Sequence, residues 1–152
     1  MKADTTSMEA FYTREKANAG VKVPLYTPDG AKSEHWLRIR GVDSDAFRDA
    51  EAESKRDTFR VANIEDLAER AKAITDAKRG LIASLVISWS FEQECSIENV
   101  KAFFRQAPQI ADAVDQVASK RALFFAPRSS SSENTPPPSS DSTADQKDQD
   151  KA

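Results

Sequence analysis

The sequence has very few of the residue types that build metal sites and covalent catalytic sites. Its 152 residues include one cysteine, Cys95, and one histidine, His35. A single cysteine excludes an internal disulfide and any zinc site made of several cysteines, and it is compatible with a reducing compartment. The four glycines are scattered, so there is no glycine-rich phosphate loop, and neither G-x-S-x-G nor H-E-x-x-H occurs. The residue types therefore argue against an enzyme.

The sequence also lacks an excess of one charge and a long apolar run. Its 22 basic and 25 acidic residues are interleaved, so no basic patch marks a nucleic-acid site. The longest apolar run, residues 81–91, is interrupted by serines and is too short to cross a bilayer. The N-terminal stretch MKADTTSMEAFYTREKA has no apolar core of the kind found in secretory signals. We therefore expect a soluble intracellular protein that binds neither nucleic acid nor membrane.

Alternating apolar and polar residues predict a β-hairpin over residues 21–41. The stretch VKVPLYT begins it, the turn signal Pro-Asp-Gly follows at 28–30, and HWLRIRG closes it. Pro24 has no N–H to give to a neighbouring strand, which indicates that its strand lies at a sheet edge. Residues 1–20 are polar and of mixed charge, and we expect them to be loosely ordered or partly helical.

The chain after the hairpin predicts four helices. The first, about 43–60, has only a thin apolar stripe and is expected to be largely solvated. The second, 63–90, follows the i, i+3, i+4, i+7 pattern most closely and is the expected central helix. The third and fourth are expected at 97–106 and 108–125. The fold class is thus mainly α with a small N-terminal hairpin, in one compact domain over 21–126.

Particular residues mark the ends of these helices. Asn63 and Asp66 resemble a weak capping pair at the start of the central helix, and Gly80 inside it predicts a kink or close packing. Ser96 can cap the third helix. Pro108 suits the first turn of the fourth.

The composition changes abruptly after Pro127. Residues 127–152 contain no aliphatic side chain larger than alanine, so they cannot bury enough apolar surface to offset the entropy of ordering. This segment is predicted to be a disordered tail.

The cluster Asp43-Ser44-Asp45 is the most suggestive group of polar side chains. Read as a calcium loop starting at Asp43, it has Phe47 and Ser54 where an oxygen ligand and a glutamate are required. A bare D-x-D could hold Mg²⁺ through a phosphate ligand, but the better interpretation is a helix N-cap, with acidic residues at the positive end of the helix dipole. His35 has no second ligand at a useful spacing, and we expect it on the surface or in an edge strand. Cys95 is expected to be half-buried at a helix end.

Aromatic side chains are numerous for the ordered part of the chain. We expect most of them in the core, with the remainder forming a groove or patch for a partner's helix or for a homo-oligomer contact. The residues alone therefore indicate a small helical binding protein with a flexible tail.

Two stretches resemble a known family. The first, WLRIRGVDSDAFRDAEAESKR (36–56), is a strand leading into G-V-D-S-D-A-F-R and a charged helix. The second, ISWSFEQECSIENVKAFFRQAPQIADAVDQVASKRALFF (87–125), has a short helix, an A-P pair, V-D-Q-V-A and a terminal R-A-L-F-F. Together they resemble the tail assembly chaperones of long-tailed bacteriophages, a group that includes the shorter frameshift-related chaperone of lambda-like phages.

The resemblance implies a non-enzymatic, mostly helical chaperone without a cofactor. Such proteins bind the long tape measure protein and keep it soluble in the host cell cytoplasm while tail tube subunits polymerise around it, and they are absent from the mature virion. In many relatives a ribosomal frameshift yields a longer product that recruits the major tail tube protein. This chain would then be the shorter product.

The residues assigned to client contact are apolar ones of the last two helices and the end of the central helix: Trp89, Phe103, Phe104, Val114, Phe124 and Phe125. Two other functional classes remain open at this point. One is a structural tail-completion or connector component, and the other is a small helical regulatory binding module.

Overall fold

A three-stranded antiparallel sheet forms one side of the fold, in the order β1 (Val21–Tyr26), β2 (Lys32–Ile39), β3 (Val86–Trp89). The computed structural model describes residues 7–125. Within them the helices are α1 (Arg14–Ala19), α2 (Asp45–Ala62), α3 (Leu67–Ala83), α4 (Ile97–Gln106) and α5 (Pro108–Ser119), with short 3₁₀ helices at Met8–Phe11 and Arg121–Phe124. The expected fold class, mainly helical with a small N-terminal sheet, is confirmed.

The hairpin is where the sequence predicts it. β1 and β2 pair antiparallel, with Val23 opposite Leu37 and Pro24 opposite Trp36, and the Pro-Asp-Gly turn connects them. β1 is an edge strand, as Pro24 indicates, and the register is interrupted between Pro24 and Tyr26. A proline at an edge costs no ladder bond to a further strand.

The expected central helix over 63–90 is wrong at both ends. Asp66 is the N-cap of α3, because its carboxylate accepts from the N–H groups of Ala68 and Glu69 at 2.8 and 3.1 Å. Asn63 instead ends α2. The helix stops at Ala83, and the next residues become β3, whose Trp89 lies opposite Leu37 of β2. The apolar run is therefore divided between a helix end and a buried strand.

The other helices differ less from expectation. α4 has the predicted bounds, with the Ser96 hydroxyl accepting from the N–H of Asn99 at 3.1 Å, and Pro108 opens α5. α5 ends at Ser119 rather than 125, and the 3₁₀ helix follows it. Part of the 1–20 segment is helical, which agrees with the prediction that it is loosely ordered or partly helical. The predicted disordered tail, 127–152, lies outside the described residues.

The core lies between the inner face of the sheet and α4 and α5. Its most deeply buried large side chains, each at most 1% exposed, come from both strands and helices: Leu37, Ile39, Leu85, Val100, Phe104 and Val114. Gly20 joins α1 to β1 with a φ of 78°, and a Cβ there would lie 2.7 Å from the carbonyl oxygen of Ile39. Only glycine permits both the backbone angle and the close approach. None of the helices between residues 7 and 125 is both long and apolar enough to cross a membrane.

Candidate partner-binding surface

Ser44, in the acidic cluster, caps α2. Its side chain is fully buried, and its hydroxyl accepts from the N–H of Phe47 at 3.3 Å. This bond satisfies one of the free N–H groups in the first helical turn. Phe47 in turn is buried against the core. The capping interpretation is confirmed, and the junction holds the start of α2 on the domain.

The two aspartates beside Ser44 bind arginines. Asp43 accepts from Arg121 at 2.6 and 2.9 Å and from Arg48 at 3.1 Å, and Asp45 accepts from Arg14 at 2.7 and 2.8 Å. The hydrogen bonds from Arg121 hold the pKa of Asp43 well below its usual range, and those from Arg14 lower the pKa of Asp45. Across residues 7–125 no group of three or more His, Cys, Asp or Glu side chains could hold a metal. The cluster joins α2 to both ends of the described chain.

His35 and Cys95 occupy structural positions. His35 is exposed, as expected, but β2 is the central strand, so the edge-strand alternative is wrong. Its ring stacks on Phe91 at 4.4 Å between centroids, and its Nδ1 lies 3.0 Å from the hydroxyl oxygen of Ser90. Cys95 is half-buried directly before the N-cap of α4, as predicted, and burial raises the pKa of its thiol. A thiol with a raised pKa is a poor nucleophile.

A cluster of aromatic rings covers the end of the sheet near Trp89. Trp89, Phe91 and Phe103 meet edge-to-face, with centroid distances between 5.2 and 5.9 Å. The indole N–H of Trp89 donates to the carbonyl oxygen of Gln93 at 2.7 Å, which fixes the ring. These rings are half-buried and line a shallow cleft of about 400 Å³. The cluster extends the core, and part of it reaches the surface.

The six residues assigned to client contact do not form one surface. Phe104 and Val114 are each 1% exposed and Phe124 is 8% exposed, so all three belong to the core. Trp89 and Phe103 lie in the aromatic cluster. Phe125 is exposed and lines a small cleft beside α1 instead. Half of the set is therefore inaccessible in this conformation, and the rest is divided between two places.

The α2–α3 arm, defined as residues 45–83, has almost no fully buried residue. Phe47 and Ala83, near its two ends, are its buried residues, and none between 48 and 82 is buried. Short isolated helices are marginal in water and obtain most of their stability from packing of an apolar face. α2 packs mainly on α3, whereas α3 packs on α2 and also on α4 and α5. The arm therefore leaves part of its apolar face without a partner.

A groove of about 430 Å³ runs between α2 and α3 on the arm. Its apolar lining comes from Val61 and Ala62 of α2 and from Ile74, Ala77 and Leu81 of α3. Ile74 is 42% exposed. The groove is partly open to solvent, and its polar lining residues are Ser54, Asp57, Thr58, Arg70 and Lys78. Most of the surface that lines the groove is apolar, and Leu81 also packs against the core.

Two further exposed apolar residues on the arm are Phe59 and Leu67, at 78% and 73% exposure. The 3.6-residue period of α3 is visible in the sequence and predicts an apolar face, but it does not show that part of this face is open to solvent. One signal in the sequence could have separated this arm from the core. The side of α2 that faces α3 has few large apolar side chains: it presents Val61, whereas a core helix would present several.

The chain has no match among protein-family models, among curated proteins, or among solved structures.

Proposed function

We propose that this protein is a non-enzymatic tail assembly chaperone of a long-tailed bacteriophage, which binds the tape measure protein and keeps it soluble during tail tube assembly. The observation that carries the proposal is the α2–α3 arm. It is long, its apolar groove is open, and no side chain between residues 48 and 82 is buried. The resemblance of 36–56 and 87–125 to this family supplies the identity of the client.

The physical demands of such a role match the arm. A helix-rich client that has not yet been enclosed by its tube exposes apolar stripes, and these stripes aggregate unless another surface covers them. The chaperone must offer apolar area for docking and enough charge to keep the complex dissolved. The arm combines the groove with acidic and basic side chains interleaved on its outer faces.

The proposal extends to the partners and location that the resemblance implies. A longer frameshifted product would recruit the major tail tube protein, and both products would act in the host cytoplasm without entering the virion. A very long tape measure gene directly downstream of this one is the expected genomic setting.

Co-expression with that tape measure protein tests the proposal. The client is expected in the soluble fraction and to co-purify with this chain, whereas alone, or with an unrelated helical protein of similar size, it is expected in the pellet. The fraction of soluble client, measured on gels across a range of chaperone expression, is the readout. A client that is equally insoluble with and without this chain would refute the proposal.

A further inference from the structure

We infer that the groove between α2 and α3 is the docking site for the client, and that its ligand is an amphipathic α-helix with an acidic residue beside its apolar stripe. This inference rests on the proposed function and moves the contact site away from the six residues that the sequence analysis assigned to client contact.

The shape of the groove favours a helix. Two antiparallel helices present a long furrow between them, and a third helix can place the side chains of one face into such a furrow. The groove volume of about 430 Å³ accommodates a row of side chains and not a whole helix, so the ligand would lie along the surface. Val61, Ile74 and Leu81 would meet its apolar stripe.

The charge at the rim specifies the ligand further. Of the three charged residues lining the groove, Asp57 pairs with Arg60, and Arg70 donates at 2.9 and 2.7 Å to the carbonyl oxygen of Ile64. Lys78 is exposed and forms no ion pair with any residue between 7 and 125. It lies one turn from both Ile74 and Leu81 on the same helix face. A ligand carboxylate next to the apolar stripe would therefore find a free ammonium group.

The chain's own C-terminal segment is unsuited to this groove. Residues 127–152 contain no aliphatic side chain larger than alanine, so they offer nothing to cover Val61 or Ile74. The α4–α5 alternative is weakened because Phe104 and Val114 already fill the core.

The test uses the full chain and overlapping synthetic peptides that cover the tape measure protein, with affinity measured by titration. Ile74→Glu is expected to weaken the best-binding peptide tenfold or more, on the order of what loss of a central apolar contact costs. Because the new carboxylate stands four residues before Lys78, it favours the helix and should not unfold it. Leu123→Glu, which replaces a similarly exposed apolar residue in the 3₁₀ helix Arg121–Phe124 away from the groove, is the matched control and should bind as the unmodified protein does.

Lys78→Glu tests the charge separately. It is expected to weaken binding about fivefold at low salt, with less effect at high salt. Lys72→Glu, the same charge change outside the groove lining, is its control. A peptide in which the acidic residue is replaced by lysine should recover affinity for Lys78→Glu and lose affinity for the unmodified chain.

The outcomes distinguish this inference from the proposed function. If the unmodified chain solubilises the client and Ile74→Glu does so equally well, the groove is not the site, although the function stands. If Phe103→Ala abolishes binding and both groove variants retain it, the aromatic cluster is the site. If light scattering shows that the unmodified chain is a dimer and Ile74→Glu a monomer, the groove binds a second copy and the inference is wrong. Failure of the unmodified chain to solubilise the client would refute the proposed function itself.

Discussion

The carboxylate of Asp43 accepts two hydrogen bonds from the guanidinium of Arg121, at 2.6 and 2.9 Å, across 78 residues of sequence. The paired geometry is the one in which arginine and carboxylate interact most strongly. Asp43 is 14% exposed, whereas Arg121 is 57% exposed, so solvent screens the pair only in part. The pair joins the start of α2 to the last helical turn of the described chain.

This pair predicts an acid-sensitive part of the stability. Cationic partners lower the pKa of Asp43, Asp45 and Asp76, with Arg121, Arg14 and Lys101 as the respective leading causes. Because each folded-state pKa lies below the unfolded value of about 4, their contribution is complete above that pH and is lost as the pH falls through the folded values. Asp43→Asn should lower the free energy of unfolding at pH 7 by about 1 kcal/mol.

Denaturant unfolding between pH 7 and pH 2 checks this prediction. Asp43→Asn should lose less stability below pH 4 than the unmodified chain does. Asp49→Asn is the control, since Asp49 is exposed on α2 and forms no ion pair among residues 7–125. If the unmodified chain and Asp43→Asn lose the same free energy of unfolding below pH 4, the acid sensitivity does not come from Asp43.

The N-cap of α2 predicts a second effect. Ser44→Ala removes the hydroxyl that accepts from the N–H of Phe47, and it should cost about 1 kcal/mol in chemical denaturation. Ser54→Ala, in the middle of the same helix, should cost nothing measurable. Added Ca²⁺ or Mg²⁺ should leave the Tm of the unmodified protein unchanged, and a clear rise with either ion would revive a metal site at Asp43 and Asp45.

Gly80 predicts a stabilising substitution. A Cβ at this position would lie 3.8 Å from Cδ of Lys101, which is ordinary contact, so Gly80→Ala should raise the free energy of unfolding by up to about 1 kcal/mol. The close packing that the sequence predicts at Gly80 is therefore limited to an ordinary contact with the side chain of Lys101. Gly20→Ala should lower the free energy of unfolding, because Gly20 has a positive φ and a Cβ there would lie 2.7 Å from the carbonyl oxygen of Ile39. Thermal melts of both variants provide the comparison.

Phe104 and Phe59 predict a contrast between core and arm. Phe104→Ala removes a ring that is 1% exposed and should cost about 3–5 kcal/mol, enough to threaten folding. Phe59→Ala removes a ring that is 78% exposed, and the free energy of unfolding should change by less than about 0.5 kcal/mol. Equal losses in urea denaturation would mean that the arm is covered in solution, by a second copy or otherwise.

The C-terminal segment gives a final prediction. Deletion of 127–152 should leave the Tm nearly unchanged, because the segment has no large apolar side chain to contribute to a core. Calorimetry of the shortened and full chains measures this. A large fall in Tm would refute the prediction of disorder.

Local signals were sufficient for several elements. The Pro-Asp-Gly turn, the Pro24 edge strand, the Ser96 cap and the Pro108 helix start are each set by a few neighbouring residues, and each is where the sequence predicts it. Such signals act through backbone angles and hydrogen bonds within one or two turns. They can therefore be recognised without knowledge of contacts between distant segments.

What the sequence could not settle depends on contacts between distant segments. The run after Ala83 is apolar enough for either a helix or a strand, and pairing of Trp89 with Leu37, some fifty residues earlier, makes it β3. In the same way, the period of α3 shows that it has an apolar face but not what covers that face. By itself the sequence determined the hairpin turn, the caps at Ser44 and Ser96 and the start of α5, because the energetics of these features are local. The tertiary structure decided that Phe104 and Val114 are core residues and that the groove beside Ile74 is open. The reason is that the burial of a side chain depends on which distant segments pack against it.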